Sequence, residues 1–360
     1  MKRLYSKRRW GHFSAIRKRC LRDLRWRQLT ARKRGAKTSY KSLAKYAGPI
    51  TYTRIKAPII WNLHQPGPRR ELDKFIRAYR ATMLQGNGGV VVDFSLTKTI
   101  YPSGGLLVHA ELDRIGRLVT DRRRFRCKPA PAGTLADQVL KQVGMYDAVD
   151  HVSAVSASDQ SVVHWRNATG VKAQGEEAWS VVENFEGELS NALQDSLFKG
   201  ISEALTNAVH HAYQAKRRDG TNIQGDKRWW MFSQQREGFL TVVFCDLGIG
   251  IPNSLPLKNS KTLNAILAKF KGDSSDVQAI RVATELGKTR TLEDNRGLGL
   301  SEILDAARKA EQGGCIIYSN RGQYGFAPDG RVIENQFSNS IYGTLIEWRV
   351  PLAEGLDNDR

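Results

Sequence analysis

No stretch of about 18 consecutive apolar residues occurs anywhere in the 360-residue chain, which excludes a membrane-spanning helix on length alone. The basic N-terminus is not followed by an apolar segment, so it does not read as a secretory signal. Cysteine is scarce. Its four positions, Cys20, Cys127, Cys245 and Cys315, stand far apart and form no C-x-x-C pair, which argues against a zinc site and for reduced thiols in the cytoplasm. Two glycine signatures are also missing. Without G-x-x-x-x-G-K-[ST] there is no P-loop, and without G-x-G-x-x-G there is no dinucleotide fingerprint.

Charge is abundant but unevenly placed. Residues 1–48 hold 17 of the 56 Lys and Arg and one of the 36 Asp and Glu, so the arm carries +16 of the net +20. The rest of the chain carries only +4 and, with 41% hydrophobic residues overall, is long enough for two ordinary domains. The basic clusters Lys7-Arg8-Arg9, Arg17-Lys18-Arg19 and Arg32-Lys33-Arg34 alternate with Trp10, Phe13, Trp26 and Tyr40. Ile16, Leu21, Leu24 and Leu29 suggest a helix over about 14–32. Such an arm attracts phosphates by counterion release and can stack bases on its aromatics. A solvated tail with no nucleic-acid role is the competing reading.

From about Ile50 the pattern becomes that of a small α/β layer domain over 49–152. The alternation over 50–63 predicts a strand pair, and Leu72, Phe75, Ile76, Tyr79 and Met83 predict a helix over 69–84. The run Val90-Val91-Val92-Asp93-Phe94 predicts a strand buried on both faces. A helix follows from Ser103-Gly104-Gly105 to Leu118, then a strand at 125–129, then a helix over 134–149 with Thr134 as N-cap. The polar stretch 153–160 predicts a linker.

This order, with "VVVDFSLTKTIYPSGGLLVHAEL", resembles the STAS domain of anti-sigma-factor antagonists. In that family a Ser in a loop at a helix start accepts phosphate from a kinase, and the matching position is Ser103. Tyr101 and Pro102 depart from the family's Asp and Ser. A simple helix N-cap is the competing role for Ser103.

Three short motifs follow in the C-terminal half, with 39 residues from the first to the second and 51 from the second to the third. In Glu203-Ala204-Leu205-Thr206-Asn207, inside a predicted helix over 195–215, Glu203 and Asn207 leave one helix face. Asn207 offers an amide oxygen to a magnesium ion without adding charge beside a triphosphate, and Glu203 is placed to act as a general base. Asp246-Leu247-Gly248-Ile249-Gly250 follows a predicted strand over 240–245. A carboxylate at a strand end accepts from the exocyclic amine of adenine, and glycines let the backbone lie close to the base. Arg296-Gly297-Leu298-Gly299-Leu300 leads into a predicted helix, and such turns cradle phosphate with backbone N–H groups. Each motif alone matches a surface helix, a turn or a helix start equally well.

Together they resemble the N, G1 and G2 boxes of the GHKL superfamily, the Bergerat ATP-binding fold of gyrases, histidine kinases and the MutL family. The resemblance covers about 161–352 and implies an α/β sandwich with a mixed sheet, binding ATP with Mg²⁺. It implies Glu203 as the catalytic base and Asn207 as the metal residue. The nucleotide would be held by Asn207, His211, Asp246, Gly248, Gly250, Arg296, Gly297, Leu298, Gly299 and Leu300. A lid would span 253–295, with helices at 261–270 and 276–286, and 315–318 and 343–348 would be the last strands. No H-E-x-R-x-P phosphoacceptor helix is present, against a sensor histidine kinase. The expected architecture is thus an α/β two-domain chain, a STAS-like domain followed by a GHKL domain and a tail over 353–360. The expected activity is ATP hydrolysis or transfer to a protein serine. The alternative is an ATP-gated module whose arm holds nucleic acid. A protein partner, a second copy of the chain included, stays open, and no membrane is expected.

Overall fold

The computed structural model describes residues 50–84, 86, 88–173, 176–182, 189–220, 227–255, 275–289 and 299–352. The arm over 1–48, its helical segment 14–32, the segment 261–270 and the tail 353–360 lie outside the described residues, as do Arg296, Gly297 and Leu298. The chain divides into two compact units, Met1–Pro49 and Ile50–Arg360, and the description below concerns the second.

Its first part is built as three parallel strands with helices between them. β1 (Tyr52–Lys56), β3 (Gly89–Asp93) and β5 (Phe125–Lys128) pair in the order β1-β3-β5, both pairings parallel. The long crossovers such pairing needs are α1 (Pro66–Leu84) and α2 (Pro102–Leu118). The strand pair expected over 50–63 does not form. Pro58 interrupts it, and β2 (Ile60–Trp61) pairs in parallel with β4 (Thr99–Ile100) instead. The helix expected over 134–149 also divides. α3 (Leu135–Gln142) starts at Thr134, whose hydroxyl accepts from the Asp137 N–H at 3.3 Å, as expected. It stops before Gly144, which takes φ +75° ahead of a single further turn at Met145–Ala148.

The second part is a seven-stranded sheet in the order β11-β10-β9-β12-β8-β7-β6. Its strands are β6 (Arg166–Gly170), β7 (Trp229–Arg236), β8 (Phe239–Asp246), β9 (Gly314–Ser319), β10 (Gly322–Phe326), β11 (Val332–Gln336) and β12 (Thr344–Pro351). The mixed sheet expected from the sequence is not found: every pairing is antiparallel. The cause is the place of β12. β8 and β9 run the same way, but the last strand enters between them, antiparallel to both.

Strand alternation separates two cores. Leu240, Val242 and Phe244 of β8, Ile317 of β9, and Ile346 and Trp348 of β12 pack on one face with α4 (Asn191–Asn207), α5 (Asp276–Thr289) and α6 (Gly299–Arg308). The intervening Val243, Cys245, Tyr318 and Leu345 pack on the other face with α1, α2 and the three-stranded sheet. Segments expected as separate domains therefore share one core across 153–160, and residues 50–360 form a single compact unit.

Candidate functional site

Asp246 ends β8 on the face that carries Leu240, Val242 and Phe244, because side chains two apart point the same way. Its register partners are Trp229 on β7 and Thr344 on β12, and Thr344 in turn pairs with Ser319 on β9. Asp246, Thr344 and Ser319 thus form a polar row across three adjacent strands, on the face covered by α4, α5 and α6. The row is bonded within itself. Thr344 and Ser319 share a 3.1 Å hydroxyl contact, and Ser319 Oγ accepts from the Ile251 N–H at 2.8 Å.

Asp246 is 5% exposed, and its Oδ1 accepts from the Gly248 N–H at 2.9 Å. Burial raises its pKa to about 7, with backbone N–H groups of Gly248 and Thr344 and the charge of Arg217 opposing. Asp246 has no ion-pair partner among the described residues. A carboxyl buried with backbone donors but no counter-charge is the kind of perturbed group that marks candidate binding sites.

The glycines beside it are closely packed. A Cβ on Gly248 would lie 2.2 Å from the Ala212 carbonyl oxygen, and one on Gly250, at φ +77°, would lie 2.6 Å from Asn320 Nδ2. Both glycines admit close approach of the protein's own backbone and side chains. The consequence is a direct seam between the glycine loop and the end of α4. The helix expected over 195–215 runs from Asn191 to Asn207 and continues as a π turn over Ala208–Ala212. Ile249 N–H donates to Ala212 O at 2.7 Å, and Leu247 N–H donates to Tyr213 Oη at 3.2 Å.

Glu203 and Asn207 lie near the C-terminal end of this helix, both half-buried. The Asn207 amide nitrogen is buried and has no hydrogen-bond partner. His211, in the π turn, is half-buried with Nδ1 3.5 Å from Gln214 Nε2, while His210 is exposed. π turns inside helices recur at functional sites. Beside α4 lies α6, close enough that a Cβ on Gly200 would sit 2.9 Å from the Ala306 Cβ. α6 begins at Gly299, followed by half-buried Leu300 and buried Ser301. Of the third motif, these first helical residues are the described part.

Ser103 is not brought to this site. It lies on the opposite side of the sheet, fully buried in the first turn of α2, and Tyr101 rather than Ser103 is the N-cap. Gly104 presses so close to β2 that a Cβ would meet Trp61 O at 2.5 Å. A phosphoacceptor hydroxyl must reach solvent, so neither the phosphoacceptor nor the capping role fits.

The sequence reading also missed a buried charge cluster behind the glycine loop. Glu111 of α2, 1% exposed, accepts from Arg80, Arg114 and Arg217. Burial alone would raise its pKa, but the three guanidiniums hold it well below the usual carboxylate range. Arg217 Nη1 also donates to the Tyr342 carbonyl at 3.0 Å, two residues before Thr344. The only sequence signal was Glu111 itself, an acid on the apolar face of a helix.

No protein-family model matches the chain, and no curated protein matches it either.

Proposed function

We infer that the chain binds ATP with Mg²⁺ as a member of the GHKL superfamily and uses it for phosphoryl transfer, to water or to a protein serine. The observation that carries this reading is a buried carboxyl without a counter-charge and a partnerless amide nitrogen on one side of the sheet. Asp246 holds a buried carboxyl at about 7 with no ion-pair partner among the described residues, and the helix bonded to its loop ends in Asn207 with a partnerless amide nitrogen. Both suit the nucleotide. The carboxylate takes the adenine amine, the free Asn207 N–H donor suits a phosphate oxygen, and the amide oxygen of the same side chain suits a hydrated magnesium ion. Among the described residues no group of three acidic, His or Cys side chains could hold a metal alone, so the ion would come with the triphosphate. Bound Mg²⁺ would neutralise charge that develops on the γ-phosphoryl group. Half-buried Glu203, one helical turn before Asn207, would take the proton of the attacking hydroxyl or water. Leu300 and Gly299, with Arg296, Gly297 and Leu298 ahead of them, would turn backbone N–H groups toward phosphate.

Calorimetric titration with MgATP tests this. Wild type should bind, and Asn207→Ala and Asp246→Ala should each weaken binding at least tenfold while both variants melt cooperatively. Unchanged affinity in both would remove the assignment.

The alternative, a nucleotide-gated module holding nucleic acid, rests on the 17 basic residues over 1–48. Phosphate release measured with and without DNA or RNA separates the two. Turnover indifferent to nucleic acid, with label appearing on protein, favours the kinase reading.

A further inference from the structure

On the far side of the sheet from Asp246, the first turn of α1 buries an arginine whose terminal nitrogens find no hydrogen-bond acceptor among the described residues. Arg69 is 4% exposed, and neither Nη1 nor Nη2 has a hydrogen-bond partner. Its guanidinium stacks on Phe337, 3.8 Å from the ring centroid, and stands 5.6 Å from that of Tyr318. Ring contact offsets part of the cost of burying a cation but leaves the four N–H donors of Nη1 and Nη2 unused. The group lines a cavity together with Asp73, Arg80, Asn339, Ser340 and Ile341.

The charges around it offset it only in part. Asp73, which lines the same cavity and pairs with Arg77 at 2.7 Å, interacts with Arg69 electrostatically without a hydrogen bond to it. Arg80 is committed to buried Glu111. Burial lowers the Arg69 pKa to about 10, which still leaves it charged at neutral pH. A buried, charged, unsatisfied guanidinium is among the costliest arrangements in a core unless a ligand completes it.

We propose that Arg69, with Asn339 lining the same cavity, forms a binding site for a small oxyanion, a phosphate or carboxylate group, behind the glycine loop. The flat donor fork of Arg69 suits two oxygens of one such group, and the stack on Phe337 fixes the plane of the fork. The site is connected to the loop carrying Gly248 and Gly250. Ser340 Oγ donates to Asn320 Oδ1 at 3.4 Å, and Asn320 Nδ2 donates to Ile249 O at 3.0 Å. It is nonetheless separate from Asp246 and does not depend on the ATP reading.

The test is thermal melting of the full chain, without nucleotide, titrated with inorganic phosphate and separately with acetate against sodium chloride of equal ionic strength. Wild type should show a saturable rise of about 2–4 °C with at least one of the two anions. Arg69→Met keeps the apolar stem and removes the charge, so it should lose that rise. Loss of the rise in Arg69→Met while MgATP affinity stays unchanged separates this site from the nucleotide site. Arg69→Lys keeps charge without the fork and should raise the apparent Kd about tenfold or more. No saturable rise in wild type, an equal rise in Arg69→Met, or an unchanged Kd in Arg69→Lys would each overturn the site. Should the Met variant fail to melt cooperatively, the Lys variant decides.

Discussion

His64 shows how single groups on the far face of the sheet couple to pH. Its Nε2 lies 3.2 Å from Glu347 Oε1, and its Nδ1 lies 2.8 Å from the Tyr318 hydroxyl. The charge of Glu347 raises the His64 pKa above 6.5, against the opposing effect of burial. Burial would raise Glu347 above 4.5, but the His64 charge and hydrogen bond bring it lower. A raised histidine stabilises the fold fully below its unfolded pKa and loses that contribution as pH climbs through the folded value. The depressed carboxylate contributes above 4.5 and loses its share as pH falls through its folded value. The pair should therefore stabilise most between about pH 5 and 6.5. Melting temperatures of wild type and His64→Gln should differ most in that window and converge toward pH 8.5. His64 is one-third exposed, so the difference should be small, and a gap that widens with pH would contradict the pairing. Glu203 belongs to the same scale. Under the phosphoryl-transfer reading, Glu203→Gln should bind MgATP as wild type does and lose turnover about 10²-fold or more, since a base acts only on the attacking group. Equal loss of binding and rate would give Glu203 a structural or metal role instead.

The seam between β8 and the end of α4 decides whether Asp246 and Asn207 can serve one ligand. It rests on Gly248, where an added Cβ would stand 2.2 Å from the Ala212 carbonyl oxygen, a backbone atom with little freedom to give way. Gly248→Ala should lower stability by about 2 kcal/mol or more and weaken MgATP binding as the π turn is forced off the loop. Gly238→Ala is the control. Unlike Gly248, Gly238 has a positive φ, at +72°, and nothing lies within 4 Å of its added Cβ, so the substitution should cost only backbone strain and leave binding unchanged. Equal effects on MgATP binding from both would mean that the seam does not matter. The same elements show what the sequence made legible. Strands with continuous apolar runs, such as 90–94 and 240–245, and helices with clean periodicity, such as 69–84, lie where their patterns put them. Local pattern says nothing about neighbours, and there the reading failed. It could not tell that β12 enters between β8 and β9, that β2 leaves β1 for β4, or that Ser103 faces a sheet rather than water. Asp246 at a strand end was legible from the run before it. Its row with Thr344 and Ser319 was not, because register emerges only once strands pair.

At the scale of the whole molecule, charge and fold are divided between two parts of the chain. The described core residues on both faces of the large sheet come from Ile55 to Leu352. Residues 1–48 carry +16 and the remainder +4. Removing 1–48 should therefore leave cooperative melting and MgATP affinity unchanged, since none of the three motifs and no described core side chain is lost. The same truncation should weaken nucleic-acid binding at least tenfold, because the remaining charge is too small to replace the counterions released by a run of Lys and Arg. Before truncation, binding should fall steeply with salt, with a slope of log K against log salt of several units for duplex DNA. These two readouts separate the arm's role from the site's. Nucleic-acid affinity that survives truncation would move the contact into residues 50–360. A flat salt dependence in the full chain would remove phosphate attraction as its basis. MgATP affinity that falls with the arm would mean that the basic segment completes the nucleotide site, and the two roles would then have to be tested as one.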